Sequence, residues 1–284
     1  MTGRGPRILF LGQKPLGEAA WARLRTAEGL CVAAVSTNVA ASAGWWGTNH
    51  VAETCKAPVV DSAERRTDAL LDVIDRTGVD WILCVQYPWI LPPAVLERVG
   101  YRAINVHCAR LPSYRGYNSF THALLNGDGD YACMAHWMAD AVDDGDVAFE
   151  GTFAIDADDT AATLWAKSHH VSLALFERVL EYLGEGKDAP RRALAGVPRF
   201  YGRRSLDGLR EIQCLDDDRE AALKARAFFF PPFEPAYVHR QGRKLHVMPP
   251  TAHGYLARGL VFGRAILDAM IAEHETWRGF EVSP

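Results

Sequence analysis

Asn105 and His107 stand two positions apart at the end of an apolar run, Ala103-Ile104-Asn105-Val106-His107, and a loop containing Pro112 and Gly116 follows. Successive side chains of a strand point to opposite faces, so Asn105 and His107 share one face while Ile104 and Val106 pack on the other. An amide can donate to a developing oxyanion, and an imidazole can take or give a proton. Polar residues at the end of a core strand are where α/β enzymes keep reacting groups. The plainer reading is that nearby backbone satisfies both side chains. A second segment, Asp140-Ala-Val-Asp-Asp-Gly-Asp-Val147, packs four carboxylates into a Gly-containing turn. Such a run serves equally as a solvated turn or a cation site, but it lacks the ligand spacing and flanking helices of a helix–loop–helix calcium loop.

Other chemistries are disfavoured. The turn Gly12-Gln-Lys-Pro-Leu-Gly17 is followed by Glu18, where a phosphate-binding loop needs Lys and then Ser or Thr, and no Gly-x-Gly-x-x-Gly fingerprint occurs. There is no Gly-x-Ser-x-Gly elbow and no His-Glu-x-x-His helix. The six cysteines, Cys31, Cys55, Cys84, Cys108, Cys133 and Cys214, form no Cys-x-x-Cys pair, which argues against a zinc knuckle or a dithiol site.

The elements that must position these residues alternate in type. Arg7–Leu11, Leu30–Val35, Trp81–Val85 and Ala103–Val106 read as buried strands, and Leu16–Arg25 and Ala63–Arg76 as helices between them. Strands alternating with helices imply an α/β fold with a doubly wound, mostly parallel, Rossmann-like sheet. Phe120–Leu125 reads as a short helix. Tyr131–Met138 and Val147–Ile155 read as two strands joined by the acidic turn. Thr160–Leu183 is the longest helical pattern, with Asp158 or Asp159 as its cap and Leu164, Val171, Leu175 and Val179 on one side. The polar stretch Gly184–Pro198 reads as a linker. Beyond it come an aromatic, Pro-rich segment, Phe228–Pro235, a hairpin around Gln241-Gly242, and a final helix over Gly259–Trp277. The expected division is a catalytic domain at 1–190 and a small C-terminal β-containing subdomain with a terminal helix at 199–284.

The combination of motifs resembles the folate-dependent formyltransferases, a family that includes methionyl-tRNA formyltransferase, glycinamide ribonucleotide transformylase and the sugar N-formyltransferases. It is carried by Asn105-x-His107, Leu111-Pro112, Tyr114-Arg115-Gly116, Asn126-Gly127-Asp128 and Asp143-Asp-Gly-Asp-Val147. Arg226-Ala and Pro231-Pro-Phe-Glu-Pro-Ala-Tyr237 are similar to the C-terminal subdomain of the tRNA and sugar enzymes. The resemblance implies that Asn105, His107 and Asp143 form the catalytic triad, because Asp143 and not Asp144 holds the position two before Gly145. It implies N10-formyltetrahydrofolate as co-substrate and no metal. It places the pterin against Gln86, Tyr87, Trp89, Ile90 and Leu91 and beside Met138, Asp140 and Val142; for Trp89, Ile90 and Leu91, plain core packing is the competing reading. Two departures are Cys108-Ala109-Arg110 after the histidine, and Trp45-Trp46-Gly47 in a Thr37–His50 segment without Lys or Arg, where the tRNA enzymes carry a basic loop.

Formyl transfer is acyl transfer: an amine attacks the formyl carbon, and the site needs an oxyanion donor and a proton acceptor. Asn105 fits the first task. His107 fits either, with Asp143 fixing its tautomer. The acceptor is expected to be a small amine, such as a nucleotide-linked amino sugar, with methionyl-tRNA as the alternative. RNA binding needs clustered Lys and Arg along phosphates, yet residues 199–284 hold 13 Lys/Arg against 11 Asp/Glu. Arg199, Arg203, Arg204 and Arg210 would serve a diphosphate as readily as RNA. A folate-binding protein without catalysis is disfavoured by the intact triad, and a nucleotide-dependent oxidoreductase by the missing glycine fingerprint. The 284 residues, with 49% hydrophobic and 23% charged residues and a net charge of -4, suit a globular protein with no global attraction to nucleic acid or anionic membrane. No apolar stretch reaches the length of a membrane span, and a cytoplasmic location is expected.

Overall fold

The computed structural model describes residues 5–39, 50–214, 218–260 and 262–284. Five strands, β1 (Arg7–Gly12), β2 (Cys31–Thr37), β3 (Val59–Asp61), β4 (Trp81–Val85) and β5 (Ala103–His107), pair in parallel. The short strand β6 (Arg115–Gly116) follows, then β7 (Asp130–Trp137) and β8 (Val147–Ala154), which continue the sheet antiparallel. Past them, β9 (Phe200–Tyr201) pairs with β6, β10 (Ala236–Arg240) and β11 (Arg243–Val247) form a hairpin, and β12 (Glu281–Ser283) adds to the edge of β8. Across the eight-stranded sheet the order is β12-β8-β7-β5-β4-β1-β2-β3, the mostly parallel α/β arrangement read from the sequence.

Period-two alternation divides the core. From β1, β4 and β5, the side chains of Ile8, Phe10, Trp81, Leu83, Val85, Ile104 and Val106 face one layer. There they meet α1 (Lys14–Leu24) and the long α6 (Ala161–Gly184). Leu9, Leu11, Ile82 and Ala103 face the other layer, against α3 (Thr67–Thr77) and α4 (Pro93–Arg98). A parallel sheet is covered on both faces, so its strands read as continuous apolar runs. Each fully buried Leu or Phe contributes roughly 1.5–3 kcal/mol. In α6, Leu164, Val171, Leu175 and Val179 are all fully buried, as their spacing requires.

The remaining helices are α2 (His50–Thr54), α5 (Ser119–Asn126), α7 (Asp218–Ala227), α8 (Pro250–Ala257) and α9 (Arg264–Glu273). Two expectations are corrected. The cap of α6 is Thr160, whose hydroxyl accepts from the Thr163 amide in a capping box. Asp159 is engaged instead by Thr163 Oγ1 at 2.8 Å and Lys167 Nζ at 2.7 Å. The terminal helix expected over Gly259–Trp277 is shorter, α9 over Arg264–Glu273, and α8 precedes it as a helix that was not expected. Gly259 lies in the left-handed region at φ 78, just past the end of α8. No helix among the described residues is long and apolar enough to cross a membrane.

Candidate active site

The carboxyl ends of β4 and β5 open into a cleft of about 510 Å³, the position where open α/β sheets hold their ligands. Asn105 and His107 are the half-buried members of β5, alternating with buried Ile104 and Val106. The antiparallel register sets His136 of β7 directly opposite Asn105. Asn105 Nδ2 lies 3.0 Å from His136 Nε2, and His136 Nδ1 lies 3.0 Å from the Trp137 carbonyl oxygen. A neutral ring with its proton on Nδ1 satisfies both contacts: Nδ1 donates to the carbonyl and Nε2 accepts from the amide. Burial pushes the His136 imidazolium down to about 4, outweighing the opposing pull of Asp143.

Asp143 sits in the β7–β8 turn at φ 54. The turn closes tightly, with the Trp137 amide donating to the Asp146 carbonyl at 2.8 Å. A Cβ on Gly145 would lie 1.8 Å from the Trp137 carbonyl oxygen, so only glycine lets the chain pass there. This fold-back brings Asp143 Oδ1 to 3.9 Å from His107 Nδ1 and 3.7 Å from His136 Nε2. At that range the carboxylate makes no hydrogen bond to either ring. Its negative charge works against the effect of burial on His136. His107 Nε2 is buried without a hydrogen-bond partner among the described residues. The structure therefore brings Asn105, His107 and Asp143 to one point and adds His136 to them. Next to Asn105, Cys84 lines the same cleft, and burial pushes its thiol up to about 12, which leaves it a poor nucleophile.

Gln86, Tyr87, Trp89, Ile90, Leu91, Met138 and Val142 line the cleft. Their roles differ. Leu91 is 4% exposed and belongs to the core around α3 and α4, whereas Ile90 is 62% exposed. Trp89 is fixed by its Nε1, which donates to the Ser62 carbonyl at 2.8 Å, and the Tyr87 hydroxyl meets Ser36 Oγ at 3.0 Å. Gln86 turns at φ 55, and its Oε1 is buried without a partner among the described residues. Asp140 does not line the cleft; it accepts from the Tyr101 hydroxyl at 2.8 Å. Trp45 and Trp46 lie outside the described residues.

His136, Tyr117, Phe120 and Phe200 line the cleft without having been expected there. For His136 a signal existed, since strand alternation puts it on one face with Met134 and Met138. Phe200 arrives through the two-residue β6–β9 pairing, which leaves no periodic trace in the sequence. No group of three or more His, Cys, Asp or Glu among the described residues is arranged to hold a metal ion.

A family model described as formyl transferase matches residues 7–180. A GDP-perosamine N-formyltransferase of Brucella melitensis is 26% identical over 182 residues, covering 64% of this chain and 69% of the relative. A methionyl-tRNA formyltransferase of Pelotomaculum thermopropionicum is 34% identical over 151 residues, 53% of this chain and 48% of the relative. Among solved structures, an N-formyltransferase of Helicobacter canadensis in complex with folinic acid and dTDP-3-aminofucose superposes with a TM-score of 0.67 at 15% identity. The match covers 84% of this chain and 86% of that one. At that identity the likeness is one of fold.

Proposed function

The chain belongs to the formyl transferase family, and on that premise we propose that it carries a formyl group from N10-formyltetrahydrofolate to the amine of a nucleotide-linked amino sugar. One observation carries this reading: a buried, unpartnered His107 Nε2 in the cleft beside the Asn105 amide. Acyl transfer needs that pair, a proton acceptor next to an oxyanion donor.

The bound donor supplies an activated formyl carbon. Gln86 Oε1 accepts from the pterin's N–H groups, which would satisfy a buried acceptor that otherwise lacks a partner. Ile90, Leu91, Met138 and Val142 form the apolar wall. Asn105 keeps one amide hydrogen on His136 and directs the other to the oxygen that gains charge. His107 takes the amine's proton on Nε2, with Asp143 beside it to stabilise the imidazolium so formed, and returns a proton to the folate N10 as the bond from N10 to the formyl carbon breaks. His136 stays neutral and holds Asn105 in orientation.

The sugar acceptor is supported by the GDP-perosamine relative and by the amino-sugar nucleotide in the Helicobacter enzyme. Exposed aromatic residues at the cleft, Tyr117 and Phe200, offer faces for a sugar or a base. A second reading, transfer to methionyl-tRNA, is favoured by the 34% identical relative. The near balance of 13 Lys/Arg against 11 Asp/Glu over residues 199–284 weighs against it. The test is to incubate the protein with N10-formyltetrahydrofolate and a panel of nucleotide-linked amino sugars, free amino acids and methionyl-tRNA. Formylation of the sugar nucleotides is expected, and formylation of the tRNA alone would reverse the choice.

A further inference from the structure

A second cavity, of about 360 Å³, lies between the start of α5, the loop over residues 203–210 and the segment over residues 228–234. Its walls are aromatic, with Phe120, Phe228 and Phe233 among them, and Arg203 and Arg210 enter it. Among the described residues, neither arginine is paired with a carboxylate. Arg203 stacks over the Tyr117 ring with Cζ 5.0 Å from its centre. Arg210 stacks over Phe228 at 5.2 Å, and its Nε donates only to the Glu234 carbonyl. The two carboxylates at the rim are engaged elsewhere, Asp207 with Arg204, and Glu234 with Lys244 and His246. Asn118 caps α5 at φ 62 without a side-chain capping bond, and Asn118, Phe120 and Thr121 at the start of α5 line the same cavity.

Two uncompensated guanidinium groups and a helix N-terminus make a site for an anion, and the aromatic walls suit a planar ring. The cavity adjoins the catalytic cleft. Phe120 lines both spaces, and Tyr117, under Arg203, lines the catalytic cleft. We propose that Arg203 and Arg210 hold the diphosphate of a nucleoside-diphosphate-linked acceptor in this cavity, while its amino sugar reaches into the cleft at His107. The inference rests on the amino-sugar reading above and adds the residues that would select a nucleotide over a free sugar.

The test measures binding of dTDP, UDP, GDP and inorganic diphosphate to the intact protein by calorimetry, with folinic acid in parallel. Nucleoside diphosphates are expected to bind. Arg203→Ala and Arg210→Ala should each weaken them by about tenfold or more, the usual scale for a charge-assisted contact. Folinic acid binding should be unchanged, and the acceptor KM should rise with kcat held within about threefold. Arg203→Lys should restore only part, since an ammonium does not reproduce the planar, stacked fork. Nucleoside diphosphates that bind both alanine variants as well as the wild type would overturn the placement and leave the amino-sugar acceptor standing. Wild-type protein that binds folinic acid but none of the diphosphates would overturn the placement and the nucleotide-linked acceptor together, with formyl transfer untouched.

Discussion

Asn105 and His136 face each other across the β5–β7 ladder, and their side chains meet at 3.0 Å. The amide that is to donate to an oxyanion is thus oriented by a ring that burial keeps neutral at physiological pH. Replacing His136 with Phe is expected to lower kcat by about 10- to 100-fold, below the full cost of removing an oxyanion donor. The donor's KM should change little, and His136→Gln, which restores an acceptor, should recover part of the loss. Steady-state kinetics on both variants check this; an unchanged kcat in His136→Phe would remove His136 from the account.

Gly145 is a steric requirement of the turn that carries Asp143. A Cβ there would overlap the Trp137 carbonyl oxygen at 1.8 Å. Gly145→Ala should therefore cost at least about 2 kcal/mol of stability, as backbone conflicts at buried turns do. Turnover should fall with it, because the turn must shift and Asp143 shifts too. Thermal unfolding and turnover, measured together, check the coupling.

Folinic acid, a stable analogue of the proposed donor, is expected to raise the melting temperature through ligand linkage. Ile90, 62% exposed on the cleft wall, is the position at which to test this. Ile90→Asp should abolish the shift while leaving the unliganded melting temperature nearly unchanged. Leu91 cannot serve, because at 4% exposure a charge there would unfold the core. A full folinic acid shift in Ile90→Asp would move the donor site elsewhere.

His169 is 7% exposed, its Nδ1 has no partner, and burial pushes its imidazolium down to about 4. In the unfolded chain a histidine titrates near ~6.5. As pH falls below that value the unfolded state takes up protons that the folded state refuses, so stability declines until the folded ring titrates near 4. At pH 5 the loss is about 2 kcal/mol for such a group. His136 acts in the same direction. His122 and His170, also lowered by burial, act the same way. Denaturant unfolding between pH 7 and pH 5 should show the decline, and His169→Phe should flatten part of it. A slope unchanged by that substitution would show that His169 is not the cause.

The strands that build the site are legible in the sequence because burial on both faces turns them into short apolar runs, as at Ile8–Leu11 and Trp81–Val85. Asn105 and His107 interrupt such a run, which is why their shared face could be read. Asp143 is legible only as part of a motif, since its approach to His107 depends on the fold-back that Gly145 permits. The edge strands β3 and β12 are three residues each, too short for a periodic signal, and were not anticipated. The terminal helix is legible over Arg264–Glu273, where Ile266, Leu267 and Met270 are buried, but its expected start at Gly259 falls in the left-handed turn that separates it from α8. Phe200 and Arg203 reach the cleft region through long-range pairing and stacking, which local sequence does not encode.

The central claim is formyl transfer at His107 to a nucleotide-linked amino sugar, and product mass tests it most directly. Wild-type protein, N10-formyltetrahydrofolate and a panel of dTDP-, UDP- and GDP-linked amino sugars should yield an acceptor heavier by one formyl group. His107→Ala and Asp143→Ala should lower that turnover by about 100-fold or more while remaining folded. A wild-type protein that formylates none of these amines, or a His107→Ala variant that formylates them at the wild-type rate, would contradict it.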